Sequence, residues 1–329
     1  MFKKTLFSIA ALTVLAGSAL AADLPHYKAP PPPPPPPPPL WTGFYVGLNA
    51  GGTWSQSNSI YTSSFPVASA GSTAINTTSA AYLASAMALG ASGNISTGSN
   101  GGFIGGGQIG YNWQFYNSFV AGVEADIQGV ASSRSNAAAA NVLSLGGDPN
   151  AFFTNAVPDL LATTISSHKQ LDYIGTVRGR LGYLVTPTLL VYGTGGLAYG
   201  GVSVSTSIFQ GNNDCANFNA TLPGCLTPAA FGVGNYSDTR VGWTAGAGLE
   251  WMFWPNWSTK VEYLYYDLGS VAFSSGVLAS VFDNTAAGGT SLSAAIASQS
   301  RTRFDGHIVR VGVNYHFNWG APAPVYAKY

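Results

Sequence analysis

Charge is what this sequence has least of. Lysine, arginine, aspartate and glutamate make up 8% of its 329 residues, against about 25% in an ordinary soluble domain. The 13 basic and 13 acidic residues cancel, so there is no basic field to hold nucleic acid, and no nucleic-acid partner is expected. Cysteine is limited to Cys215 and Cys225, with no histidine nearby. Structural zinc wants four ligands, and neither a metal nor any other cofactor is expected. The sequence also lacks an apolar run of the roughly 20 residues that a membrane-spanning helix needs.

The first residues carry an address. Lys3 and Lys4 form a positive start, Leu6 to Ala16 a short apolar stretch, and Ala19-Leu20-Ala21 a small-x-small site. This is the pattern of an export signal over residues 1–21, cleaved before Ala22. No cysteine follows the cleavage site, which argues against a lipoprotein anchor. Cleavage leaves 11 basic against 13 acidic residues, a mature charge of about −2. Residues 22–40 form a Pro-rich linker in which Pro30 to Pro39 is unbroken. Fixed φ and missing donors make this a polyproline II rod, about 31 Å long at roughly 3.1 Å per residue. It reads as a stiff periplasmic spacer, with a partner-docking face as the alternative.

Glycine and aromatics are abundant, with 41 Gly, 17 Phe, 17 Tyr and 8 Trp. Beyond the rod the chain falls into eight strand-like stretches: Gly43–Gly52, Gly102–Trp113, Phe119–Val130, Lys169–Val185, Thr188–Val202, Thr239–Phe253, Trp257–Leu268 and Arg303–Trp319. Three connections are tight, namely 114–118, 186–187 and 254–256. The other four are about 30 to 50 residues long and rich in Ser, Thr, Ala, Asn and Gly. Short and long connections alternate, so all tight turns share one end and all long loops the other. The fold class that follows is all-β: an eight-stranded, antiparallel, up-and-down transmembrane barrel over residues 41–319. It has periplasmic turns, four long extracellular loops, and a periplasmic tail at 320–329.

Side-chain parity tests this reading, because Arg or Lys on a lipid face costs roughly 2–4 kcal/mol near the midplane. Glu124 and Asp126 share one face while Val123, Ala125 and Ile127 take the other. Asp172, Arg178 and Arg180 oppose Tyr173, Val177 and Leu181. Arg240 and Glu250 oppose Val241, Trp243, Leu249 and Trp251; Lys260 and Glu262 oppose Val261, Tyr263 and Tyr265; Arg310 opposes Val309, Val311 and Val313. The remaining charges, Asp267, Arg301, Arg303 and Asp305, fall at the loop-side ends. The ten interior charges are five acids and five bases, and neighbouring strands bring Glu124 and Asp126 near Arg178 and Arg180. A paired network is expected, since isolated buried charges are too costly. It either fills and neutralises the lumen or forms a gate along a narrow polar path. Eight strands leave an interior only wide enough for side chains, so a wide pore is not expected.

Trp41, Trp113, Trp254, Trp257 and Trp319 cluster at the tight-turn ends, with Trp54 and Trp243 at the opposite ends. This predicts two interfacial aromatic girdles and makes outer-membrane lipid the first partner.

At this point WTGFYVGLNAGG (Trp41 to Gly52), LDYIGTVRGRLGY (Leu171 to Tyr183), GGLAYG (Gly195 to Gly200) and RVGVNYHF (Arg310 to Phe317) give a resemblance. The chain resembles the small outer-membrane β-barrel proteins of Gram-negative bacteria usually labelled porin-family or OmpA/OmpX-type surface proteins. In that resemblance Arg310, Gly312, Tyr315 and Phe317 match the C-terminal signal read by the barrel-assembly machinery. It implies localisation in a Gram-negative outer membrane and roles in envelope integrity, adhesion, immune exposure or modest solute passage. Two features depart from the pattern: 12 residues follow Phe317, and not every member is expected to carry the polyproline run.

Export carries Cys215 and Cys225, both in the third long loop, to an oxidising space, where a disulfide is expected. Gly105, Gly107 and Gly110 fit GxGxxG, but in an alternating strand rather than a βαβ unit, so close packing is preferred over nucleotide binding. His307 beside Asp305, with His168, is the nearest approach to an acid-base group. No activated Ser or Cys accompanies it, and no enzyme is expected. The first loop, Thr53 to Asn100, carries no charged residue and suits a neutral contact surface. The reading is a structural or surface barrel of the outer membrane with a largely filled lumen, possible surface or periplasmic partners being unidentified. The alternatives are a narrow porin-like channel for small solutes and, further off, a soluble lipid-binding barrel, whose apolar parity would face inward.

Overall fold

The computed structural model describes residues 41–98, 101–132, 135–146, 160–212, 229–284 and 290–317. The leader, the polyproline linker, Cys215, Cys225, Trp319 and the tail lie outside the described residues.

Eleven strands and one helix follow in order: β1 (Gly43–Ser55), β2 (Ser59–Gly71), α1 (Ala74–Gly90), β3 (Gly93–Ser96), β4 (Gly101–Phe115), β5 (Phe119–Ser132), β6 (Ser135–Ser144), β7 (Leu160–Thr186), β8 (Leu189–Asn212), β9 (Ala230–Trp254), β10 (Trp257–Asn284) and β11 (Thr290–Phe317). The ring runs β1-β4-β5-β7-β8-β9-β10-β11 and closes by β11 on β1, each pair antiparallel. All eight expected stretches are staves of this ring. The tight turns sit together, as alternating parity and loop length require. Between β4 and β5 both Tyr116 and Asn117 have positive φ, 47° and 60°, the geometry of the mirror-image hairpin turns that match strand twist.

The long connections differ from expectation. Most of their described residues are not loop but further strand. β7 and β8 stay paired from Thr186↔Leu189 to Leu161↔Asn212, and β10 and β11 from Trp257↔Tyr315 to Asn284↔Thr290. Small hydroxyl residues alternate with inward Val204, Ile208, Ile165 and Ile296, which is sufficient for a half-buried ladder. Stave one breaks at Gln56–Asn58 and resumes as β2 along the upper part of β11, from Ile60↔Thr302 to Gly71↔Leu292. β6 follows β5 in the chain and pairs with the upper part of β7.

The helix is the second departure. Its Ala, Leu and Met residues favour helix, and proline is absent. One face of α1 packs Leu83, Ala84 and Met87 against Leu161, Ile165, Ile208, Leu278, Leu292 and Ile296. Gln210 Nε2 donates to the Met87 carbonyl at 2.7 Å. Gly90 sits so near β7 that a Cβ would stand 2.7 Å from Thr163 Oγ1, and the helix ends there. Four interior layers therefore stack from the turn end outward: an apolar floor with Trp41, Leu184, Leu190 and Met252; an ionic layer; an apolar layer around Ile104, Ile174, Leu264 and Ile308; and the helix-capped core.

Candidate functional site

Inward-facing positions of β5, β7, β9, β10 and β11 deliver the ionic layer. Arg178 Nη2 lies 2.5 Å from Glu124 Oε1 and 3.0 Å from Asp126 Oδ2, while its Nη1 lies 3.0 Å from Glu262 Oε1. Lys260 Nζ donates to both oxygens of Glu124 at 2.9 Å. Arg310 bridges Asp126 at 2.9 Å and Glu262 at 2.5 Å. Arg180 reaches Glu250 at 2.5 Å with its guanidinium 4.4 Å from the Tyr192 ring centroid. Four acids and four bases thus meet at the centre of the tube, each no more than 4% exposed.

Neutral groups complete the layer. The Tyr45 hydroxyl donates to Glu124 at 2.6 Å and that of Tyr192 to Glu262 at 3.0 Å. Thr176 serves Asp126, while Ser258 and Asn314 serve Glu250. Each carboxylate has several donors, the condition under which buried ions are tolerated. These neutral partners were missed in the sequence. The available signal was parity: Tyr45, Asn49 and Thr53 share a face of β1, as Ser258 does with Lys260. Gly110 belongs to this arrangement, because a Cβ there would stand 2.4 Å from the Tyr45 ring. Packing, not phosphate, explains that glycine.

Two expected members stand apart. The ladder is irregular between Leu171 and Tyr173, and a bulge reverses side-chain phase. Asp172 is therefore exposed and accepts from Gln170 Nε2 at 2.7 Å. Below the bulge Ile174 and Thr176 face inward; above it Lys169 and Ser167 do. Arg240 keeps inward parity but sits above the layer, near the Ser270 carbonyl at 3.4 Å, with no carboxylate within salt-bridge distance among the described residues. Removing one acid and one base leaves the layer balanced.

Trp41 is a third correction. It is fully buried, donates Nε1 to the Pro187 carbonyl at 3.0 Å, and meets the His316 ring edge-on. It plugs the turn end instead of facing lipid, held there by the Pro187 carbonyl and the His316 ring. Trp113, Trp254 and Trp257 are exposed at that end, and Trp54 and Trp243 at the outer level. Of the residues expected to form the assembly signal, Arg310 is in the ionic layer, Gly312 faces inward near Lys260, and Tyr315 and Phe317 pack edge-on at 5.1 Å.

His307 Nδ1 pairs with the Tyr263 hydroxyl at 2.7 Å and its ring stacks on Trp54 and Tyr263. Asp305 accepts from Ser57 N and the Tyr265 hydroxyl, and His168 pairs with Asn136. The three thus serve separate contacts and form no acid-base relay. Among the described residues no cluster of three or more His, Cys, Asp or Glu is placed to hold a metal.

Above the outer aromatic level, Lys169 Nζ crosses from β7 to donate to the Ser57 carbonyl at 2.7 Å and to the Arg303 carbonyl. It lies 4.6 Å from the Phe304 ring centroid and lines a cavity of about 50 Å³ with Thr53, Asn58, Tyr266 and Asp305. Burial pushes its ammonium down to about 8, against the opposing pull of Asp305.

The model of a family described as outer membrane protein beta-barrel domain matches residues 7–317. The 31 kDa outer-membrane immunogenic proteins of Brucella melitensis biotype 1 and Brucella suis biovar 1 are each 34% identical over 318 residues, covering 95% of this chain and 98% of theirs. A 22 kDa outer membrane protein of Rhizobium leguminosarum bv. viciae is 32% identical over 180 residues, 52% of this chain and 59% of its own. Among solved structures, the outer membrane protein OprG of Pseudomonas aeruginosa aligns over 84% of this chain and 97% of its own at 8% identity and a TM-score of 0.30, a likeness too remote to add to the strand topology.

Proposed function

Because the chain belongs to the outer membrane protein beta-barrel domain family, we propose that it serves as a structural and surface component of the outer membrane with a filled lumen. The observation that carries this reading is the ionic layer: eight charged side chains from five staves, at most 4% exposed, meet across the whole cross-section. A water-filled pore would leave such groups wetted. Their mutual pairing makes charge transit costly, since each ion would have to be separated from partners in a low-dielectric interior. The apolar layers on either side and the helix-capped end support the same reading. The long staves above the membrane level make the protein a surface object, in keeping with relatives named immunogenic.

The second reading, a narrow channel for small solutes, has one observation in its favour. Asn112, Asn49 Oδ1, Gln128 Oε1 and Arg310 Nη1 are buried without a hydrogen-bond partner among the described residues, and they share the wall formed by β1, β4, β5 and β11. Such groups call for water, and a file of waters along that wall is the route a channel would use. Single-channel recording of the refolded mature protein separates the two. The filled barrel gives a flat trace, whereas stable conductance steps would replace the structural reading with the channel.

A further inference from the structure

The outer surface has two apolar bands where a membrane barrel needs one. The lower band ends at the level of Trp54, Trp243 and Tyr265. Climbing β8 from Leu197, which pairs with Trp243, the outward positions turn polar at Ser203, Ser205 and Ser207, and on β11 at Arg303, Arg301 and Gln299. Higher still they turn apolar again. Phe209 and Phe231, a cross-strand pair on β8 and β9, are 48% and 61% exposed. Phe65 on β2, Val142 on β6, and Val277 and Val281 on β10 are exposed with them. Phe209 stands twelve residues above Leu197, about 30 Å at roughly 3.3 Å per residue and a tilt of about 40°. That distance places this collar beyond the outer membrane.

We propose that the collar is a docking surface for a second lipid bilayer facing the outer membrane. Three observations select lipid as the occupant. The collar goes round the barrel, on β6, β8, β9, β10 and β2, whereas a second copy of the chain would cover one flank only. The segments that carry it are without charge: residues 53–102, 203–212, 230–237, 272–282 and 291–300 contain no Asp, Glu, Lys or Arg, so headgroup and acyl regions are entered without stripping an ion. Among the described residues the interior at this height is an apolar core packed on α1, so what faces a second bilayer there is hydrocarbon-filled and not a wetted lumen. Exposed apolar surface of this extent marks a contact on a soluble surface, and here every side of the tube offers it.

The test uses mature protein refolded into nanodiscs, which occupy the lower band, mixed with phosphatidylcholine liposomes and floated on a density gradient. Wild-type nanodiscs should rise with the liposomes. The double variant Phe209→Asp with Phe231→Asp should lose at least roughly tenfold in the floated fraction, the scale of withdrawing one large apolar side chain from lipid. Ser205→Asp, in the polar belt, should float as wild type, and all three should keep the heat-sensitive folded band on gels. Failure of the wild type to float overturns the proposal, as does an equal loss in Ser205→Asp. Nanodiscs that pair with one another without liposomes in sedimentation, and unpair in the double variant, would instead make the collar an interface between copies.

Discussion

The turn-end half and the far half of the barrel interior fill the same tube with opposite materials. Below, eight ions hold one another across the lumen through charge-assisted hydrogen bonds. Above, a helix of small residues lies on Leu and Ile side chains. The ionic layer is directional, and each group depends on a named partner. The apolar core is not directional, and its loss is graded by volume. The outside differs as well, since the lower staves must meet hydrocarbon whereas the upper ones carry a polar belt beneath the apolar collar. A defect in the lower half is therefore expected to prevent a barrel, and one in the upper half to loosen its tip.

The sharpest break is Arg178→Met. It takes a shared cation from Glu124, Asp126 and Glu262 at once, and removing one partner of a buried pair costs about 3–5 kcal/mol. Urea titration in vesicles, followed by the folded-band shift, should show most of the folded population lost. Exchanging Arg180 and Glu250 together for Met should cost far less, because neutrality and volume are both kept. Similar losses in the two variants would mean that packing, not pairing, governs this layer.

Leu83→Ala tests the upper half. A buried leucine truncation costs about 2–5 kcal/mol, but here the expected result is an intact membrane barrel whose tip is cut faster by protease in vesicles. Global unfolding at the rate of Arg178→Met would erase the distinction between the halves. A smaller effect is expected from Val311→Arg, about 2–4 kcal/mol near the midplane. Val277→Arg, also outward on an apolar position but in the collar, should be close to neutral for folding. Comparable penalties would place the upper staves in hydrocarbon too.

The smallest effect concerns Lys169. Its folded value of about 8 lies below the ordinary lysine value of 10.5, so between those two pH values the unfolded chain binds more protons and stability rises with pH. Below about pH 8 the buried ammonium opposes folding to a constant extent. Lys169→Met should remove the rise between pH 8 and 10.5 in thermal unfolding curves, and a rise that persists would assign it to another group.

What was legible in the sequence follows from periodicity. The eight staves showed because two-residue alternation joined to tight turns has one barrel solution. The upper staves did not, because in a stretch such as SAAIASQS the outward Ser and Ala and the inward Ala and Ser differ little in polarity, and in SVSTSIFQG the alternation is carried by only two aliphatic residues, Val204 and Ile208. The α1 segment, SAAYLASAMALG, had helix composition, but it stood among segments read as loop. Asp172 was misplaced because one extra residue in a strand leaves no trace in composition while reversing every side chain beyond it. Trp41 looked like the other strand-end tryptophans, and only its long-range contacts with Pro187 and His316 turn it inward.

The ionic layer also has a bearing on how the ring comes together. Taken hairpin by hairpin, its charges do not cancel: β4 with β5 brings Glu124 and Asp126, β7 with β8 brings Arg178 and Arg180, β9 with β10 brings Glu250, Lys260 and Glu262, and β11 brings Arg310. The succession is −2, +2, −1, +1, alternating around the ring and summing to zero only on closure. The partners lie far apart in the chain, Lys260 136 residues from Glu124 and Arg310 184 residues from Asp126. No hairpin neutralises its own ions, so each keeps unpaired charge until its neighbour arrives, and a hairpin inserted out of turn would set like charges side by side. The layer that crosses the finished tube thus also encodes the order of its staves.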